Sequence, residues 1–214
     1  MGHVWPLFDL EVNTPDVTLR YPDDDLLVEM MAVAAEGIHD SSVMPFAVPW
    51  TRAESPELEQ EALRFHWRCR ADMRPDDFRI ALAVLVDGRV VGASEVGAKD
   101  FGVLGRFTTG SWLGRRHQGR GIGTAVRRAT LALGFDGLGA RWADTSAWSD
   151  NPASLGVTRS LGYERTGRRV QVIEGRPGEL VEFEMSVARF VDTVRPNDLR
   201  LAGVEPVRRF LGVD

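Results

Sequence analysis

The chain has 214 residues, 43% of them apolar, a formal net charge of −5 and a single cysteine. That length holds one large domain with a substantial core; the charge argues against a nucleic-acid partner, and one cysteine excludes an internal disulfide and fits a reducing cytosol. No run is long and apolar enough to span a membrane, and Met1-Gly2-His3-Val4-Trp5-Pro6 lacks the basic and apolar regions of a signal peptide, so a cytoplasmic location with no membrane partner is expected.

Residues 1–16, with Pro6 and Pro15, read as irregular. Val17 to Tyr21 alternates and reads as a first strand. Pro22-Asp23-Asp24-Asp25 opens a helix with its acids set against the helix dipole; Leu27, Met30, Met31 and Ala34 share a face, and Gly37 caps the end. Ile38 to Trp50, with Pro45 and Pro49, is a loop that either packs its own apolar side chains or walls a substrate pocket; its His39 reads as structural. Ser55-Pro56 caps a second helix with proline in the first position. Leu58, Ala62, Phe65, Cys69 and Met73 make that helix amphipathic, so Cys69 is a packing residue rather than a nucleophile, and His66 is structural or exposed.

Phe78 to Val86 reads as a central strand, Asp87-Gly88 as a hairpin turn, and Arg89 to Val96 as the returning strand. Phe107 to Leu113 completes an antiparallel meander. A helix follows over Thr124 to Phe135, with Ile122, Ala125, Val126, Ala129 and Leu133 inward and Arg127 and Arg128 outward. Arg141 to Ala147 is another strand, Asp150-Asn151-Pro152 starts a short helix that Gly162 ends, and Tyr163 to Ile173 pairs with Leu180 to Val187 across residues 174–178. Residues 189–214 are a C-terminal extension, packed on its own domain or on a partner in a homodimer or larger homo-oligomer.

The stretch that organises this order is Leu113-Gly114-Arg115-Arg116-His117-Gln118-Gly119-Arg120-Gly121-Ile122-Gly123-Thr124, a glycine-rich turn between a strand and a helix. The first amides of a helix have no internal partner, the dipole there favours an anion, and three arginines add full positive charges. The Walker pattern requires a lysine, and the only lysine is Lys99; the dinucleotide pattern fails because the glycines fall at 119, 121 and 123. What fits is Gln-x-x-Gly-x-Gly at Gln118, Gly121 and Gly123. This resembles the pyrophosphate-binding motif of the GCN5-related N-acetyltransferases (GNATs). A second stretch, Asn151-Pro152-Ala153-Ser154 followed by Leu161-Gly162-Tyr163, is similar to the signature after that family's fifth strand.

The resemblance runs from about Val17 to Val187 and lies nearest the RimJ/RimL-like branch. It implies an α/β (α+β) fold: a mixed, mostly antiparallel twisted sheet of about six or seven strands, flanked by about four helices and splayed at the fourth and fifth strands, over residues 1–188. It also implies acyl transfer from acetyl-CoA, or succinyl-CoA, to an amine of a small molecule, a protein N-terminus or a lysine, with no metal. Ser111, Trp112 and Leu113 would pair with the cofactor's arm, with an amide near Leu113 facing the thioester oxygen. Arg115, Arg116, Gln118, Gly119, Arg120, Gly121, Ile122, Gly123 and Thr124 would hold its phosphates, and Asn151 would order the loop and touch the cofactor.

Many relatives carry a tyrosine seven residues after the asparagine; here that position is Thr158, and Ser154 takes the role of donor to the departing sulfur or of a helix cap. An acid common in the fourth strand of RimL-type relatives is missing near Thr108-Thr109. Glu95 is the first candidate for the base and Asp144 the second, each with an outward-facing strand charge as the alternative. Met44, Pro45, Phe46, Trp50 and Trp148 would wall the pocket for the acyl group or acceptor. The two departures keep a second class open, a non-catalytic acyl-CoA-binding or sensing module.

Overall fold

A computed structural model describes residues 3–213; residues 1, 2 and 214, which belong to the expected domain and extension, lie outside the described residues. The elements are β1 (Glu11–Asn13), β2 (Thr18–Arg20), α1 (Asp24–Ala35), α2 (Glu57–Ala71), β3 (Phe78–Val86), β4 (Arg89–Ala98), α3 (Phe101–Leu104), β5 (Arg106–Leu113), α4 (Ile122–Ala132), β6 (Trp142–Trp148), α5 (Pro152–Ser160), β7 (Glu164–Ile173), β8 (Arg176–Ser186), α6 (Val187–Thr193), β9 (Arg200–Ala202) and α7 (Val204–Leu211). One sheet runs in the order β7-β8-β6-β5-β4-β3-β2-β1-β9. Every neighbouring pair is antiparallel except β5 and β6.

Local chemistry explains the joints. Asp87-Gly88 and Glu174-Gly175 both have positive φ, which suits two-residue hairpin turns whose twist matches that of their strands. Asp23 accepts the Leu26 amide and opens α1; Asn151 accepts the Ser154 amide and opens α5, with proline at its first turn. The pleat then divides the side chains. Ala83, Leu85, Val90 and Ala93 meet Leu27, Met30 and Met31 on the face covered by α1 and α2. Ile80, Leu82, Val96 and Phe107 meet Val126, Ala129 and Leu133 on the other.

The fold matches the expected class, with two short strands beyond the expected set. These are β1, within the stretch read as irregular, and β9, which pairs with it. The C-terminal residues join this domain: Phe190, Val207 and Leu211 are fully buried in the main core. Three further details differ from expectation. Pro56 is the cap of α2 rather than its first residue, and the Ser55 hydroxyl donates to Glu59 at 2.6 Å. β8 starts at Arg176, so the connection with β7 is two residues long. Arg127, expected outward, is only 6% exposed, because its side chain turns to the sheet, where Nη1 donates to Thr145 of β6 at 3.0 Å.

His66 lies on the inner side of α2, and burial, helped by Arg70, pushes its imidazole down to about 4. In the unfolded chain it titrates near 6.5, so between these values the unfolded state binds the extra proton. Stability is therefore lost as pH falls from about 6.5 towards 4, by up to about 3 kcal/mol from this residue. Melting curves across that window should show a shallower pH slope in His66→Asn than in the wild type; equal slopes would contradict the assignment. Cys69 is half-buried with its thiol pushed up to about 11 by burial, in keeping with a packing role.

Candidate active site

The site begins where two parallel strands part. One edge of β5 is paired with β4 from Thr108 to Leu113, opposite Gly97 back to Gly92. The other edge pairs with β6 only over Arg106, Phe107 and Thr108, opposite Trp142, Ala143 and Asp144. From Thr109 to Leu113 that edge has no strand partner, and the two strands form a V. Ser111, Trp112 and Leu113, expected to meet the cofactor's arm, occupy the open part of this edge: Ser111 is exposed, Trp112 half-buried and Leu113 buried.

At the top of the V the chain turns through Arg115–His117 into α4. Gly119 and Gly121 have φ of +72° and +80°, and a Cβ at either would meet nothing within 4 Å. The amides of residues 119–121 donate to no backbone carbonyl among the described residues, and those of Ile122 and Gly123 begin the helix. Unpartnered amides in a glycine turn at a helix N-terminus suit a polyphosphate. Gln118 anchors the turn, its side-chain amide donating to Ile38 O at 2.6 Å and Leu113 O at 2.8 Å. Arg115 pairs with Asp40 at 3.4 Å and Arg116 with Glu36 at 2.6 Å, while Arg120 is exposed and carries no ion pair among the described residues. Such exposed pairs are each worth about 0–1 kcal/mol, so an arriving phosphate can displace them. Thr124 is half-buried, its amide bonded to Gly121 O.

The register assigns the side chains of the V to two sides. Glu95, Gly110, Trp112, Thr108 and Asp144 share the α1/α2 side. Glu95 lies over Gly110, whose missing side chain leaves its carboxylate room: a Cβ there would sit 3.0 Å from Glu95 Oε1. Burial raises the Glu95 carboxyl, with Arg79 at 3.5 Å pulling it back. Asp144 is held by Arg106, which also reaches Glu184 at 3.2 Å, and burial outweighs the arginine in raising the Asp144 carboxyl. Phe46, Trp50 and Trp112 form an aromatic run with ring centroids 5.4 and 6.0 Å apart, and Met44 is buried beside Thr51. Trp148 is not in that run; it is 4% exposed and packs near Gly178 in the β7–β8 hairpin.

On the opposite side, Thr109, Ser111 and Leu113 face α4, and Ser94 bonds Thr130 of α4 at 2.6 Å. Gly123 lets α5 approach, with Val157 3.6 Å from where its Cβ would be. Asn151 accepts the Ser154 amide at 3.1 Å, which is the capping contact; Ser154 is half-buried in the first turn of α5. Thr158 is fully buried with an unpartnered hydroxyl. Gly110 and Arg127 were not singled out from the sequence: the signal for Gly110 was a glycine interrupting a strand, and nothing local marked Arg127 as inward.

One sheet parts beside a glycine turn that opens a helix, leaving a cleft along one strand edge. A family model described as an acetyltransferase (GNAT) domain matches residues 16–164. The chain belongs to the GNAT acetyltransferase family. Solved structures of the same fold include the microcin self-immunity acetyltransferase MccE in complex with acetyl-CoA and AMP (TM-score 0.66, 16% identity, covering 81% of this chain and 93% of that one). RimL, an alpha-N-protein acetyltransferase in complex with coenzyme A, is similar at TM-score 0.62 and 15% identity, covering 81% of this chain and 95% of that one. A GCN5-related N-acetyltransferase from Brucella melitensis gives 0.64 and 18%, covering 84% and 79%. Among the described residues no helix is long and apolar enough to cross a membrane.

Proposed function

We propose that this acetyltransferase moves an acyl group from acyl-CoA to a primary amine by direct attack within the V, in a cytosolic setting. The observations that carry the reading are the edge of β5 from Thr109 to Leu113, which has no strand partner, and the amides of residues 119–121, which have no backbone partner in the turn that follows β5. Coenzyme A would supply an acyl thioester, activated towards amines. Gly119, Gly121, Ile122 and Gly123 would hold its pyrophosphate through their amides, with Arg115, Arg116 and Arg120 adding charge. Ser111 to Leu113 would align its arm, and an amide of that segment would face the carbonyl oxygen where charge develops. Ser154, on the α4 side, would offer a proton to the leaving sulfur, whose reference pKa of about 8.5 makes that help useful but modest.

The amine would arrive from the α1/α2 side, past Phe46, Trp50 and Trp112. Glu95 would take its proton through water, because its raised carboxyl and its place over Gly110 suit a base. Asp144 is the weaker candidate, because Arg106 already holds it. An α-amine with a pKa near about 8 needs little such help, whereas a lysine-type amine near about 10.4 needs more. Glu95→Gln should therefore lower kcat about 100-fold with lysine-like acceptors and less with α-amines, with the KM for acyl-CoA little changed. Thiol release across an amine panel measures this. An unchanged kcat with every amine would remove Glu95 from the reaction, and no turnover of any amine by wild type that binds CoA would favour a binding or sensing module.

A further inference from the structure

Arg127 is the one charged side chain in the buried core of the described residues. It is 6% exposed, and no carboxylate lies within 4.0 Å of it among the described residues. Its guanidinium makes a single hydrogen bond there, from Nη1 to Thr145 Oγ1 at 3.0 Å, and its buried Nε has no partner. Thr145 Oγ1 in turn donates to Thr109 O at 3.5 Å, and the hydroxyl of Thr109 is itself buried and unpartnered. Thr109 and Thr145 are the first residues past the last paired register of β5 and β6, Thr108 with Asp144. The guanidinium therefore sits at the bottom of the V, on the α4 side. Removing a positive charge from water without an acid to balance it is costly, and a helix position beside a packed sheet would ordinarily take an aliphatic residue.

We infer that Arg127 reads the acyl group: it is the counter-charge for the terminal carboxylate of a dicarboxylic acyl-CoA, of the succinyl class. This rests on the reading that acyl-CoA lies along β5. Thr109 is two residues below Ser111, about 7 Å along an extended strand. A four-carbon dicarboxylic chain attached beside Ser111 to Leu113 spans much of that distance, and a two-carbon acetyl group does not. The chemistry also matches. A carboxylate offers acceptors to the free guanidinium N–H groups and to the Thr109 hydroxyl together, whereas an acetyl methyl offers none. The other side chains of β5 and β6 on this side near the parting, Phe107, Ser111, Ala143 and Ala147, include no acid that would compete.

The test is calorimetric titration of the whole protein with succinyl-CoA, acetyl-CoA and free CoA, in the wild type and in Arg127→Gln and Arg127→Lys. Wild type should bind succinyl-CoA at least tenfold more tightly than acetyl-CoA. Arg127→Gln should erase that preference while leaving acetyl-CoA and free CoA within about twofold, and Arg127→Lys, which keeps charge without the planar fork, should retain part of it. Equal binding of the two acyl-CoAs by wild type overturns the inference without needing a variant, even if Arg127→Gln does not fold. Equal weakening of all three ligands in Arg127→Gln also overturns it, making the arginine a latch between β5 and β6 or a partner of the CoA arm. Failure of all three to bind wild type removes the acyl-CoA reading itself, and the inference with it.

Discussion

Gly121→Glu should abolish coenzyme A binding while leaving the protein folded. Position 121 has φ +80°, so any L side chain there is strained by about 1–2 kcal/mol, a cost that a domain of this size survives. Nothing within 4 Å of its Cβ direction obstructs a side chain, so the effect on binding comes from filling the anion site and placing a carboxylate in it. The loss of affinity should be at least about 100-fold, or about 2.7 kcal/mol. Gly121→Asn is the matched control: asparagine tolerates the left-handed region and carries no charge, so most of the affinity should remain. Calorimetry with free CoA, alongside circular dichroism of each variant, separates binding from folding. Unchanged affinity in Gly121→Glu would remove the pyrophosphate assignment.

The second large effect is on stability. Gly134 lies in a π-helical turn that continues α4, and a Cβ there would come within 2.1 Å of the Phe107 ring. Phe107 is 1% exposed and packed edge-on against Phe135 at 5.3 Å, so the ring cannot move aside. Gly134→Ala should cost about 3 kcal/mol through overpacking and lower Tm by about 6–12 °C. Phe107→Leu in the same chain should recover part of this, giving a double variant more stable than the sum of the two single changes. A Tm for Gly134→Ala within about 2 °C of the wild type would show that the helix shifts to admit the methyl group. The contact matters to the site because Phe107 is among the last β5 residues paired with β6 before the V opens.

What was legible in the sequence was what is local. Phe78–Val86 and the Asp87-Gly88 turn announce themselves by β-branched content and by turn residues at positive φ, and the glycine loop by its spacing between a strand and a helix. The caps at Asp23 and Asn151 are likewise short-range chemistry. What was not legible depends on partners far along the chain. β1 is three residues long and too short to read; β2 pairs with it on one side, and β9, nearly 190 residues later, covers its other edge. Arg127 looks outward if only the stripe of Val126, Ala129 and Leu133 faces the sheet; it is inward because its guanidinium reaches Thr145 of β6, a residue 18 positions later. Trp148 has the composition of a pocket wall, yet the β7–β8 hairpin buries it. The side of the sheet that Glu95 faces follows from the register of β4 with β5, which pattern alone does not number.

Every role proposed for these residues depends on coenzyme A occupying the loop from Gln118 to Thr124 and the β5 edge from Thr109 to Leu113. Thermal unfolding of the wild type with and without free CoA, paired with calorimetry, addresses that without assuming an acceptor or an acyl group. At 100 times its dissociation constant the ligand should stabilise the fold by about 2.7 kcal/mol, raising Tm by about 5–10 °C, with one site per chain in the titration. No heat of binding and no shift in Tm would contradict the coenzyme A assignment, leaving residues 119–121 as an ordinary strand-to-helix corner.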